Sequence, residues 1–215
     1  MFQKLKCLCL YILFLLVQPS SAFASERYMT IIRHGQADHN VGNFYNSNPK
    51  HPNYQPAFLT TLGKEQAAYT GLKLKIQGLH KRNIAAVVAS PLPRTKQTAK
   101  ILAKAGLFSP DKITFDSRVI EVNAGSYEGQ PYNPNNLDWE KPTVGGESRD
   151  ALRCRMQDFY NDIIAKYPEG DIVIVTHGSP SMQLIDLLTN EVIKLNTADS
   201  ITLPITGDRI QVQNC

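Results

Sequence analysis

Residues 171–178 read Asp171-Ile172-Val173-Ile174-Val175-Thr176-His177-Gly178. Four consecutive β-branched apolar residues fit a strand buried on both faces, which is the habit of parallel sheets. Two earlier runs share the pattern: Tyr28–Ile32 continues into Arg33-His34-Gly35, and Ile84–Ala89 continues into Ser90-Pro91-Leu92-Pro93-Arg94. Helical periodicity separates the three. Thr60 or Thr61 caps a segment in which Leu62, Tyr69, Leu72 and Ile76 share a face, and Thr95, Thr98, Leu102 and Ala105 recur at steps of three and four. After Ser148, with Asp150 in the first turn, Leu152, Met156, Phe159 and Ile163 make the clearest amphipathic stripe. Strands alternating with helices imply a mostly parallel sheet covered by helices on both faces.

Ligands of such sheets bind beyond the carboxyl ends of the strands. Two histidines, His34 and His177, and two arginines, Arg33 and Arg94, therefore arrive at one edge from three strands. Arginine forks match phosphate oxygens, glycines let backbone N–H groups approach an anion, and a neutral imidazole can act as a nucleophile. Metal binding by the two histidines is the rival reading, and the adjacent arginines oppose a divalent cation. No G-x-G-x-x-G or Walker sequence is present, so nucleotide binding of those kinds has no support.

The remaining features bound the problem. The 215 residues carry 42% hydrophobic and 20% charged side chains, the balance of a globular chain. Net charge is +4 with no long run of one sign, which argues against a nucleic-acid partner held by a basic face. At the start, Lys4 and Lys6 precede an apolar run from Cys7 to Val17 and a small-x-small site, Ala22-Phe23-Ala24. That run is short for a bilayer span and suits a secretory signal peptide, residues 1–24, with an uncleaved anchor as the alternative. The expectation is an exported protein, periplasmic or extracellular, with one domain over residues 25–215 and no stable membrane insertion after cleavage. Without Lys4 and Lys6, 21 basic residues face 19 acidic ones, and the charge says little about partners. The mature chain keeps Cys154 and Cys215, which export would allow to pair. Two segments are irregular, Val41–Phe58 and Gly129–Gly146, and long ordered loops often cover binding sites. The first brings Phe44, Tyr45, His51 and Tyr54 toward the entrance. The tail, Ser200–Val212, reads as two short strands around Thr206-Gly207-Asp208.

These segments resemble the histidine phosphatase superfamily, also called phosphoglycerate mutase-like. Arg33-His34-Gly35-Gln36-Ala37-Asp38-His39-Asn40 is similar to its opening signature, and Leu59-Thr60-Thr61-Leu62-Gly63 to the helix start that follows. Ser90 to Ala99 resembles the second arginine segment. Glu121-Val122-Asn123-Ala124-Gly125-Ser126-Tyr127-Glu128-Gly129 resembles the acid loop, Gly145-Gly146-Glu147-Ser148 the late helix start, and Thr176-His177-Gly178 the closing motif. The resemblance implies a three-layer α/β/α fold with a mostly parallel central sheet and a phosphatase without metal or organic cofactor. It implies His34 as the nucleophile that carries a phosphohistidine, and Glu121 as the acid that protonates the leaving oxygen. Arg33, Arg94 and His177 would hold the phosphoryl oxygens, with help from Asn40 and the Gly178 amide. The partner would be a small phosphorylated substrate or inorganic phosphate. Gln36 and His39 stand where phosphoglycerate mutases usually have Glu and Trp, and 191 mature residues are few for a mutase. A small exported phosphatase of the mutase-like branch is the reading; phosphoglycerate mutase-type transfer and a phosphate-binding module without turnover are the alternatives.

Overall fold

A computed structural model describes residues 26–133, 142–212 and 215. The proposed signal peptide, residues 1–24, lies outside them. Five strands form one sheet: β1 (Tyr28–Arg33), β2 (Ile84–Ala89), β3 (Ile113–Phe115), β4 (Asp171–Thr176) and β5 (Ser200–Pro204). Their order is β3-β2-β4-β1-β5. β1, β2, β3 and β4 pair in parallel, and only β5 runs antiparallel, along the outer edge of β1. The helices are a single turn α1 (Asp38–Val41), then α2 (Thr61–Ile76), α3 (Pro93–Lys104), α4 (Arg149–Lys166) and α5 (Gly178–Thr189).

Alternate side chains of the buried strands feed two cores. Ile172 and Ile174 join Met29, Ile31 and the inner faces of α4 and α5, including Met156, Phe159, Leu184 and Ile185. Val173 and Val175 face the other way, with Ile32, Val87, Leu74, Ala99 and Leu102 beneath α2 and α3. That two-sided burial is why the strands read as apolar runs instead of alternating ones. The three-layer α/β/α architecture expected from the sequence is the observed one. The Ser148 hydroxyl accepts from Ala151 N (3.1 Å), capping α4, and Leu152, Met156, Phe159 and Ile163 are all buried as their spacing demands.

Two expectations are corrected. In α2 the stripe of Leu62, Tyr69, Leu72 and Ile76 points to solvent, with Tyr69 70% and Ile76 79% exposed. The buried face is Gly63, Ala67, Thr70, Gly71 and Leu74. Small residues win there because α2 lies close against its neighbours. A Cβ on Gly71 would stand 2.8 Å from the Ala105 Cβ at the end of α3. In the tail only Ser200–Pro204 is a strand. Beyond it, residue Ile210 exchanges hydrogen bonds with the Asn161 side chain (2.8 and 2.9 Å), and Gln157 accepts from Val212 N. Helix α4 thus satisfies the backbone that a second hairpin strand would have paired. Cys154 on α4 and Cys215 form a disulfide across 61 residues of chain.

Candidate active site

Register brings the strand ends level. Arg33 on β1 pairs with Thr176 on β4, and Ala89 on β2 pairs with Val175. The next residues, His34, Ser90 and His177, therefore leave the sheet side by side. His34 N and Ser90 N still donate to the β4 carbonyls of Thr176 and Val175, both at 3.0 Å. Arg94 sits in the first turn of α3, directly after β2, and its side chain returns over the same edge. The imidazoles of His34 and His177 lie 5.1 Å apart between ring centroids.

The chain turns sharply at Gly35 because α2 begins against it. A Cβ on Gly35 would come within 2.2 Å of Gly63 O, and one on Gly63 within 1.9 Å of Gln36 O. The glycines of the first two motifs therefore meet backbone to backbone, which any side chain would prevent. Gly35 N donates to Thr98 Oγ1 (3.2 Å) and Gln36 N to Gln66 Oε1 (2.9 Å), fixing the turn from α3 and α2.

The hydrogen bonds assign the tautomers. His34 Nδ1 lies 2.7 Å from Gly35 O, a contact that requires the proton on Nδ1 and leaves Nε2 with a lone pair. Arg94 Nε donates to that Nε2 (3.1 Å) and to His177 Nδ1 (3.2 Å). His177 Nε2, which then carries its proton, donates to Ser90 Oγ at 2.7 Å. Burial, followed by the positive charge of Arg94, pushes both histidines well below their ordinary pKa, so both rings are neutral. Burial also lowers Arg94, to about 10, while Glu121, Tyr54 and Glu128 oppose the shift, and the guanidinium stays charged at neutral pH. Arg33 completes the group: its Nη1 donates to Leu195 O (2.8 Å) and its Nε has no partner.

Glu121 approaches from the far side. Its loop is tied to β4 by Thr176 Oγ1, which donates to Val119 O (2.7 Å). Its carboxylate accepts from Gly178 N (3.2 Å), Ser179 N (3.3 Å) and its neighbour Val122 N (2.9 Å). The Gly178 amide therefore helps to hold the Glu121 carboxylate. The other acids that the sequence offers are engaged elsewhere. Glu147 forms a bidentate pair with Arg155 (2.7 Å at both contacts), Glu128 binds the backbone and hydroxyl of Ser47, and Asp38 accepts from Phe58 N (2.8 Å). Of these four, Glu121 alone is hydrogen-bonded to the His177-Gly178 strand end. Asn40 Oδ1 accepts from Ala37 N (2.9 Å), and its Nδ2 donates to His39 Nε2 (3.1 Å).

Sequence reasoning missed the roof. Arg94 Nη1 and Nη2 donate to Asn46 Oδ1 (2.7 Å) and Asn46 O (2.8 Å). Next to it, Glu128 accepts from Ser47 N (2.8 Å), Ser47 Oγ (2.7 Å) and Asn48 N (3.2 Å) with no solvent exposure. Segment 41–58 is thus fastened over Arg94 at one point and to the acid loop at another. Tyr45 stacks on Tyr127 (5.7 Å between centroids) inside that seam, so it packs the loop and is not free at the entrance. One asparagine in an asparagine-rich loop gives no signal of this in sequence. Among the described residues no group of three or more His, Cys, Asp or Glu is placed to hold a metal ion.

A profile of the histidine phosphatase superfamily (branch 1) matches residues 29–206. The chain belongs to that superfamily. It is a histidine phosphatase, an enzyme of the phosphomonoester hydrolase class. The chain is 29% identical over 161 residues to the probable phosphoglycerate mutase GpmB of Yersinia enterocolitica, covering 69% of this chain and 68% of that one. It is 27% identical over 193 residues to the glucosyl-3-phosphoglycerate phosphatase of Mycobacterium tuberculosis, covering 80% and 78%. In fold it is similar to the phosphoglycerate mutase of Bacillus anthracis, with a TM-score of 0.68 at 18% identity over 88% of this chain and 92% of that one.

Proposed function

We propose that this histidine phosphatase is exported and hydrolyses small phosphorylated substrates through a phosphohistidine on His34. One observation carries the reading: a neutral His34, tied through Nδ1 to Gly35 O, holds its Nε2 lone pair 3.1 Å from the Arg94 guanidinium. An imidazole in that state is a nucleophile, and the cation beside it attracts a phosphate. In the first step an Nε2–P bond forms and the ester P–O bond breaks, with the departing oxygen taking a proton from Glu121. In the second, water attacks phosphorus, Glu121 takes a proton from it, and the Nε2–P bond breaks to release inorganic phosphate. Arg33, Arg94 and His177 stabilise the charge spread over the equatorial oxygens.

Export is supported by the apolar segment with its small-x-small site, and by the Cys154–Cys215 disulfide, a bond that persists in oxidising compartments. N-terminal sequencing of protein from the extracytoplasmic fraction should start at Ser25; a mature form that keeps Met1 would contradict cleavage. For activity, purified protein is offered p-nitrophenyl phosphate, sugar phosphates and phosphoglycerates with EDTA present. Phosphate release is expected throughout. Transfer between phosphoglycerate positions without release would favour the mutase reading, and binding of phosphate without turnover would favour the binding module.

A further inference from the structure

Among the described residues, two buried side-chain polar atoms have no hydrogen-bond partner: Arg33 Nε and His39 Nδ1. Buried polar groups are nearly always paired, so an orphan asks for an explanation. These two belong to residues on either side of His34 in the chain, and Arg33 and His39 both act electrostatically on its ring. The His39 ring centroid is 5.5 Å from that of His34, close to the 5.1 Å that separates His34 from His177. The nucleophile is thus flanked by two imidazoles at similar range.

The state of His39 follows from its neighbour. Asn40 Oδ1 accepts from Ala37 N, which fixes the amide so that Asn40 Nδ2 faces His39 Nε2 as a donor. His39 Nε2 therefore carries the lone pair. Burial, with Arg94 and Arg33 adding to it, lowers the His39 pKa to about 2, so the ring is neutral and its one proton is on Nδ1. The atom without a partner is accordingly an N–H donor, as is Arg33 Nε. Two buried donors without acceptors, on residues beside the proposed nucleophile, are unspent hydrogen-bonding capacity that an oxygen atom would take up.

We infer that His39 is a further catalytic residue, whose Nδ1–H donates to an oxygen of the phosphoryl group as it is transferred to His34. This rests on the phosphatase reading and adds to it a fourth clamp side chain beside Arg33, Arg94 and His177. A neutral donor suits the position: it stabilises the developing charge without adding a third cation to Arg33 and Arg94. It also gives Asn40 a function of its own, as the residue that sets the His39 tautomer.

The test is direct binding, which needs no turnover. Inorganic phosphate and vanadate are titrated into wild type, His39→Phe and His39→Asn, whose Nδ2 stands near the place of the imidazole Nδ1. The phenylalanine variant should lose about 10- to 100-fold in affinity for both anions, the scale of a hydrogen bond to a charged group, and the asparagine variant should recover part of it. Turnover of p-nitrophenyl phosphate and of sugar phosphates should fall together, by about 10²-fold in kcat, because the phosphoryl group is common to both. Equal anion affinity in wild type and His39→Phe would overturn the proposal, as would loss on sugar phosphates alone. Should the variants fail to fold, nitrogen-15 imidazole NMR of the wild type decides. The His39 Nδ1–H signal should move on addition of phosphate, and an unmoved signal beside shifted His34 and His177 signals removes His39 from the clamp. A wild type that binds both anions but releases no phosphate would instead break the phosphatase reading and leave the His39 contact standing.

Discussion

The two sides of the site are built differently. His34 and His177 leave strand ends whose positions follow from sheet register, Arg94 follows in the first turn of α3, and the three are joined through Arg94 Nε, with Gly35 O and Ser90 Oγ completing the imidazole contacts. Asn46, Glu121 and Glu128 stand on loops held mainly by side-chain hydrogen bonds to Arg94, Ser47 and the first amides of α5. On the loop side Asn46 closes over Arg94, which has no exposed surface. On the proposed mechanism the nucleophile belongs to the scaffold, while the acid and the cover over Arg94 belong to the loops.

The largest effect that would test this division belongs to Glu121. Glu121→Gln should slow phosphorylation of His34 by sugar or alkyl phosphates about 10²–10⁴-fold, the scale of general acid catalysis. The aryl leaving group of p-nitrophenyl phosphate needs less protonation and should suffer less in single-turnover rates. Equal losses on both substrates would take the proton away from the loop side.

The strand edge is sharpened by pH. His34, His39 and His177 are held neutral in the fold, so the unfolded chain binds more protons than the native one once pH falls below about 6.5. Stability contributed by these groups is complete above that pH and is lost as pH falls toward their depressed folded values. The slope is about 1.4 kcal/mol per pH unit for each histidine that stays unprotonated. Denaturant midpoints in phosphate-free buffer from pH 7 to pH 5 should decline accordingly, and a flat profile would show that the rings titrate normally.

On the loop side, Ser47→Ala removes the hydroxyl that donates to the buried Glu128 carboxylate and accepts from Ala124 N (3.0 Å). A loss of about 1.5–3 kcal/mol in unfolding free energy is expected, read from urea midpoints, because the bond is to a charged group. The smallest effect is on α2. Leu72→Gln should change stability by no more than about 0.5 kcal/mol, while Met156→Ala in α4 should cost about 2–5 kcal/mol. Comparable losses would mean that the exposed apolar face of α2 is covered in solution.

That last pair shows what was legible. The α4 stripe is right because large apolar residues at helical spacing had a sheet face to fill, and Met156 is fully buried. In α2 the same signal misleads: its packing face is made of Gly63, Ala67 and Gly71, which carry little hydrophobic pattern but allow close approach to Gly35 and α3. The strand-end histidines and arginines are legible because a parallel sheet dictates where its strands point. Glu121 is legible only through the resemblance of its loop, and Asn46, Ser47 and the Glu128 socket not at all. Those contacts join residues about 50 to 80 positions apart through loops without periodicity. The disulfide is of the same kind, since 61 residues of separation say nothing of whether two Cβ atoms meet.

Rapid quenching with phosphorus-32 labelled substrate tests the central claim most directly. Turnover should trap an acid-labile, base-stable phosphate on the peptide that contains His34, absent in His34→Ala. A label on Ser90, which lies 2.7 Å from His177 at the same strand edge, or full turnover by His34→Ala, would contradict it.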